Sequence, residues 1–312
     1  MAIRNQHNLE IAKRILAAYP KRKLKAETQR KYMATGRQFF HDHEAVLNTR
    51  SKRTFYLRKA ALNFYAINML DLAIKTGDEK LFDDSLATLK KFFTEDAPGD
   101  AMARGGKCPI VNPAPTRGKR KSLAFIPSDW MEIMLEGVTG QHRQWLLLLS
   151  AAGVRPQEIE NGITVTPHKT GVILTIHSAK SSGSYGQPLR VFYVESVFAH
   201  ELAQGGEQFI SAKTANSVSS YVSKLGRKVF GDREDSVSAY SYRSQFAANL
   251  KASDLSSDDV SAILGHSVDD TKKLYGIRSQ SNGAVKATLI FATREVKRAI
   301  KSTPLRMSKL TH

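Results

Sequence analysis

Two arginines, a histidine and a tyrosine stand in short segments whose residue types could do chemistry together. The first segment is Gly153-Val154-Arg155-Pro156-Gln157-Glu158-Ile159, an arginine between a helix stop and a proline-started turn. The second is Tyr240-Ser241-Tyr242-Arg243-Ser244-Gln245-Phe246-Ala247. The third is Leu264-Gly265-His266-Ser267, and Tyr275 follows nine residues after the histidine. Guanidiniums present forked donors of fixed geometry that match an oxyanion, which lysine does not. A tyrosine hydroxyl, with an ordinary pKa of about 10, is a weak nucleophile at neutral pH and needs cationic surroundings or a nearby base. Histidine can serve as that base. Alone, each residue has an ordinary reading: Arg155 pairing with Glu158 at a surface, Tyr275 filling a core or interface, His266 offsetting a helix dipole.

These segments resemble the catalytic boxes of tyrosine recombinases, the phage-integrase family. Arg155 matches the family's first arginine, with Glu158 at the acidic position that accompanies it. Arg243 matches the second arginine, His266 the histidine of the Leu-Gly-His box, and Tyr275 the nucleophile. Arg243 and His266 are 23 positions apart, which also fits the pattern. Lys180 lies in the second β-hairpin, where the family carries its mobile catalytic lysine, with Lys169 as a rival in the neighbouring hairpin. The motifs cover Phe125 to about Gly276; the first hundred residues match only in helical character and a Thr-x-x-x-Tyr start at Thr28 and Tyr32. One box is weak, and four in order are strong. One position departs: the second box usually begins with histidine, and Tyr240 stands there. Its hydroxyl can donate to a phosphate oxygen but carries no positive charge.

The resemblance implies a site-specific DNA recombinase that cuts and rejoins strands through a covalent 3′-phosphotyrosine. In-line attack on a phosphodiester builds negative charge on the non-bridging oxygens, which Arg155 and Arg243 would neutralise. The bond energy is stored covalently on Tyr275 for rejoining without ATP. His266 would act as base or hydrogen-bond partner, and Lys180 as the acid that protonates the departing 5′ oxygen. No metal or other cofactor is implied.

Elements must position these residues, and the sequence predicts them. In the first third, helices are expected from Thr28 to near His43, over Leu57 to Ile74 with a stop at Gly77, and over Phe82 to Phe93. Lys52, Arg53, Arg58, Lys59, Lys90 and Lys91 lie between their apolar faces, suiting either a solvated face or a grip on a DNA backbone. Periodicity vanishes from Ala97 to Lys121, where prolines, glycines and the run Arg117, Lys119, Arg120 and Lys121 read as a basic linker. Ser128 is expected to cap a helix bearing Asp129 and Glu132, and the next helix, His142 to Ala152, to end at Gly153. Three strands, Ile163–Thr166, Val172–His177 and Leu189–Val194, read as an antiparallel meander. Helices are expected again over 214–230, 241–251, 256–264, 269–276 and 285–300, the last with an apolar stripe of Val285, Leu289, Ala292, Val296 and Ile300.

The fold class expected is therefore mainly α with a small antiparallel β-sheet (α+β). The resemblance divides it into a helical core-DNA-binding domain at 1–98, a linker at 99–121 and a catalytic domain at 122–312 with a C-terminal helix and tail. It further implies a C-shaped clamp on double-stranded DNA and a homo-tetramer on two paired sites that exchanges a C-terminal segment. The short inverted half-sites expected follow from a region before Lys21 too short for an arm-site-binding domain. An accessory directionality factor is an open partner.

Composition sets the frame. Lys and Arg outnumber Asp and Glu by 47 to 29, a formal charge of +18 that favours polyanionic partners. Hydrophobic residues at 41% suit a packed globular chain. Cys108 is the lone cysteine, so there is no internal disulfide and no cysteine cluster for zinc. The polar N-terminus and the lack of a spanning apolar run point to the cytoplasm and to no membrane partner. Two rival readings remain. A type IB topoisomerase-like enzyme would use the same residues without synapsis, and a DNA-binding regulator or architectural protein would carry a decayed site, to which only Tyr240 points.

Overall fold

The structure is a computed structural model that describes residues 3–19, 24–49, 51–93, 123, 126–179, 181, 186–231, 237–268, 275–283 and 285–297. The chain divides into two compact units, Met1–Thr116 and Arg117–His312. The linker expected at 99–121 lies outside the described residues.

Among the described residues of the first unit there are five helices: α1 (Gln6–Ala18), α2 (Ala26–Phe39), α3 (His43–Leu47), α4 (Lys52–Thr76) and α5 (Glu79–Phe92). Helix α4 starts where the Ser51 side chain accepts from Thr54 N, and ends where Gly77 takes a left-handed conformation (φ 73°) and donates to Ala73 O. Asp78 then caps α5 through Leu81 N. Gly36 lets α2 approach α4 closely, because a Cβ there would collide with Tyr65 Cβ and lie 2.5 Å from Ala61 O. Helix α1 is not among the expected elements. Its polar sequence buries only Ala12 and Ile15, too thin a stripe to announce a helix.

The second unit is mixed. Helices α6 (Trp130–Leu135), α7 (Gly140–Ala152) and α8 (Pro156–Asn161) precede strands β1 (Ile163–His168), β2 (Gly171–His177) and β3 (Leu189–Glu195). Helix α9 (Val197–Gln204), strand β4 (Gln208–Ile210), helices α10 (Ala215–Phe230), α11 (Ala239–Ala252) and α12 (Ser257–Ile263), a 3₁₀ turn at Arg278–Gln280 and strand β5 (Lys286–Ala292) follow. The sheet runs β4-β1-β2-β3-β5, with every neighbouring pair antiparallel. Its inner residues alternate as strand geometry requires, with Ile163 opposite both Ile176 and Ile210. The four leucines Leu146–Leu149 of α7 are all buried, each contributing about 1.5–3 kcal/mol of burial. Phe246 of α11 meets Phe192 of β3 at 6.4 Å between ring centres, which joins the site-bearing helix to the sheet. The protein is thus mainly helical with a small antiparallel sheet.

Two expectations are corrected. The helix read over 285–300 is strand β5 across Lys286–Ala292, paired with β3 from Arg190↔Ala292 to Glu195↔Lys286. As an edge strand with one neighbour it buries little, so spacing at three and four residues imitates a helix. Ser128 does not cap α6; Asp129 occupies that position, without a side-chain cap bond. Helix α9 and strand β4 are further elements that the sequence does not announce.

Candidate active site

Helix α7 ends at Gly153 in the left-handed region (φ 53°). A Cβ there would stand 2.7 Å from Phe246 Cβ and 3.0 Å from Arg243 Cα, so only glycine lets this helix end press on α11 beside Arg243. Two residues on, Arg155 is the N-cap of α8, with Pro156 fixing the first helical position. Glu158, one turn into α8, reaches back: Oε2 accepts from Arg155 N at 2.8 Å and Oε1 from Arg155 Nη1 at 2.6 Å. A third guanidinium completes the cluster. Arg190 on β3 donates from Nη1 to Glu158 Oε1 (3.1 Å) and from Nη2 to Oε2 (3.0 Å).

Arg190 and Glu158 are fully buried, and Arg155 nearly so at 6% exposure. Burial alone would raise the Glu158 carboxyl's pKa, but Arg190 and Arg155 outweigh it and hold it well below the usual range. Glu158 is therefore an anion at neutral pH, and two guanidiniums, those of Arg155 and Arg190, bind one carboxylate. Arg190 is a residue that the sequence motifs miss, although it shares the inward face of β3 with Phe192 and Val194. An arginine in phase with core residues is the available signal.

Arg243 sits in α11 with 1% exposure. Its Nη1 donates to Gly153 O at 2.9 Å and its Nη2 to Leu264 O, so backbone carbonyls ending two elements hold the fork. Its Nε has no partner among the described residues. Desolvation, then repulsion from Arg155, lowers its pKa to about 10, which leaves it charged at neutral pH.

After α12, Gly265 takes φ 72°, and a Cβ there would lie 3.0 Å from Arg190 Nη1 and 3.3 Å from Arg155 Nη1. The glycine brings the backbone against two guanidiniums and turns His266 inward. His266 is 4% exposed, and neither ring nitrogen has a partner among the described residues. Burial first, then Arg243, Arg155 and Arg190, depress its pKa to about 2, so the imidazole is neutral. Gln187, fully buried at the foot of β3, donates to His266 O at 3.1 Å and to Arg294 O at 2.7 Å.

Tyr275 meets these groups. Its ring stacks on His266 at 5.5 Å between centres and 21° between planes, and Arg243 Cζ lies 5.0 Å from its centroid. Burial pushes the phenol's pKa up, but Arg243 and Arg155 outweigh it, and the net displacement is downward. Tyr240, one turn before Arg243, is partly exposed and lines a 270 Å³ pocket with Arg155, Gln157, Ala179, Ala215 and Ser219.

Comparison with known proteins adds little. No family model matches the chain, and no curated protein matches it. Among solved structures it is similar to that of XerA recombinase. The similarity covers 86% of this chain and 93% of that one, at 14% identity and a TM-score of 0.37. Similarity at that level establishes neither family nor activity.

Of the residues singled out from the sequence, Arg155, Arg243, His266 and Tyr275 converge, with Tyr240 at the rim. Lys180, Arg117, Lys119, Arg120 and Lys121 lie outside the described residues. In the first unit Lys52 and Arg53 are exposed at the start of α4. Arg58 is half-buried, donating to Ala45 O at 2.7 Å with its Cζ 4.6 Å over the Phe39 ring. Lys59 is interior, at 2% exposure, rather than on a solvated face. That burial removes it from the cations a partner could reach. The helix expected over 269–276 lies outside the described residues as far as residue 274, and Tyr275 itself lies in a bend. Among the described residues no three His, Cys, Asp or Glu side chains converge as a metal site, and no helix is long and apolar enough to cross a membrane.

Proposed function

We propose that the chain is a site-specific DNA recombinase that breaks and rejoins strands through a phosphotyrosine at Tyr275. The observation that carries this reading is the Tyr275 ring set against Arg243 and His266, with a phenol pKa lowered by two guanidiniums. A buried tyrosine in a core has no use for cations; a nucleophile and a developing phosphorane do.

In the proposed step the Tyr275 oxygen attacks phosphorus, the Tyr–O–P bond forms and the bond to the 5′ oxygen breaks. The departing oxygen takes a proton from Lys180, and Tyr275 passes its own to His266 as it bonds. Arg155 and Arg243 neutralise the non-bridging oxygens. Arg243 Nε and both His266 nitrogens, unpartnered among the described residues, are donors or acceptors available to those oxygens. The DNA phosphate's negative charge offsets the guanidiniums that depress the imidazole in the free protein, so His266 hydrogen-bonds the phosphate and accepts the Tyr275 proton only once DNA is bound. A free 5′ hydroxyl then reverses the step on phosphotyrosine, giving exchange. Tyr240 supplies a hydroxyl where the related family carries histidine. Assembly as a tetramer on paired inverted sites, with or without a directionality factor, belongs to the same proposal, as does DNA contact by Lys52, Arg53, Arg117, Lys119, Arg120 and Lys121.

The test is strand transfer itself: the protein is incubated with genomic fragments from its source, and junctions between fragments are sequenced. Junctions recurring at one short sequence are expected. Relaxed supercoils with no new junctions would favour the topoisomerase-like reading, and salt-sensitive binding with neither would favour a regulator.

A further inference from the structure

Helix α11 carries more of this site than Arg243. On one stripe, at spacings of four and three, lie Ser244, Ala248 and Lys251. Gly276 rests on that stripe: a Cβ on it would run into Ser244 O and stand 3.0 Å from Ala248 Cβ. Lys251, half-buried in the helix's last turn, donates from Nζ to Tyr275 O at 3.1 Å and to Gly276 O at 2.5 Å. On the adjacent stripe, Gln245 Nε2 donates to Gln280 O at 2.8 Å, while Asn249 Oδ1 accepts from Ser281 Oγ and Asn282 N, each at 3.1 Å. Gln245 and Asn249 are themselves 5% and 3% exposed. A loop carrying a buried aromatic needs no such set of buried polar anchors, because apolar packing would hold it without their desolvation.

We propose that Lys251 is the positioning residue of the nucleophile: with Gln245, Asn249 and the bare Gly276 it forms a seat that holds Tyr275 against Arg243. The inference rests on the recombinase reading and deepens it. Lysine suits the task because one ammonium has three donors and here meets two successive carbonyls. Because Arg243 and the seat share one helix, the spacing between the nucleophile and the guanidinium that faces it is fixed by helical geometry. A shift of about 1 Å at a nucleophile costs on the order of 100-fold in rate. Loss of Lys251 therefore acts on rate and not on DNA affinity.

The test compares wild type, Lys251→Met and Lys251→Arg on a nicked DNA substrate that traps the covalent adduct. Adduct formation by Lys251→Met is expected to slow by on the order of 100-fold with DNA binding and melting temperature close to wild type, and Lys251→Arg to recover most of the rate. Titration of Tyr275 by ¹³C NMR of the DNA-free protein is the second readout, with Lys251→Met moving the phenol pKa upward as the ring leaves Arg243. Wild-type rate and titration in Lys251→Met would overturn the seat. So would a loss of folding in Lys251→Met with no rescue by arginine. If wild type forms no adduct, the recombinase reading falls, and the titration still decides the seat.

Discussion

Arg190 of β3 and Glu158 of α8 meet through two parallel hydrogen bonds, 3.1 and 3.0 Å, with neither side chain exposed to solvent. Arg155 takes the same carboxylate from the other side through Nη1. Glu158 is therefore the fixed point from which Arg155 is oriented, and Arg190 keeps it ionised. Replacing Arg190 by Met leaves Glu158 with one guanidinium in a dry interior. Removing one partner of a buried pair costs about 3–5 kcal/mol, and urea unfolding of Arg190→Met should show a loss of that size. A loss under about 1 kcal/mol would mean that the pair is not buried as described.

The same carboxylate sets an acid limit on stability. Its folded pKa is depressed, so its contribution is fully present above the ordinary value of 4.5 and is lost as pH falls toward the folded value. Urea midpoints should fall steadily below about pH 4.5 in wild type. In Glu158→Gln the protein starts less stable, and this part of the acid dependence is missing. Parallel curves for the two proteins would contradict the assignment.

Gly265 is a point where backbone conformation and electrostatics coincide. Alanine there adopts a left-handed conformation at a cost of about 1–2 kcal/mol and puts a methyl 3.0 Å from Arg190 Nη1. Gly265→Ala should lower the melting temperature and slow cleavage, since the guanidiniums must shift to make room. An unchanged melting curve would show that the turn is not in this conformation.

Tyr275 titration reports its cations. The phenol's lowered pKa comes from Arg243 and then Arg155 acting against burial. Arg243→Met removes the larger attraction, so the Tyr275 pKa, followed by ¹³C NMR of the DNA-free protein, should rise. A Tyr275 pKa that stays put or falls in Arg243→Met would refute the geometry.

Parts of this arrangement are legible in the amino-acid sequence alone. The end of α4 at Gly77 and of α7 at Gly153 follows from glycine's freedom at positive φ, which the sequence displays directly. Strands β1 to β3 bury alternate residues and so show their period. Strand β5 does not: exposed and half-buried residues alternate only as far as Ile290, none is fully buried, and the apolar Ile290 and Phe291 are both exposed, so hydrophobicity shows no two-residue period there. Arg155, Arg243, His266 and Tyr275 stand out because their chemistry is local to each residue and its spacing. Arg190, Gln187 and Lys251 do not, because their partners lie 32, 79 and 24 residues away in sequence, a separation only folding closes. Tyr240 is legible only as a substitution, a hydroxyl at the rim of the Arg155 pocket.

Trapping the covalent intermediate identifies the residue that attacks phosphorus. The protein is incubated with source DNA, denatured and digested, and the peptide that carries nucleotide mass is sequenced by mass spectrometry. Binding before denaturation should weaken with added salt, as expected for a chain of charge +18. Nucleotide is expected on Tyr275 in wild type and none in Tyr275→Phe, with DNA affinity equal in both. Nucleotide on another residue, or adducts undiminished in Tyr275→Phe, would contradict that assignment.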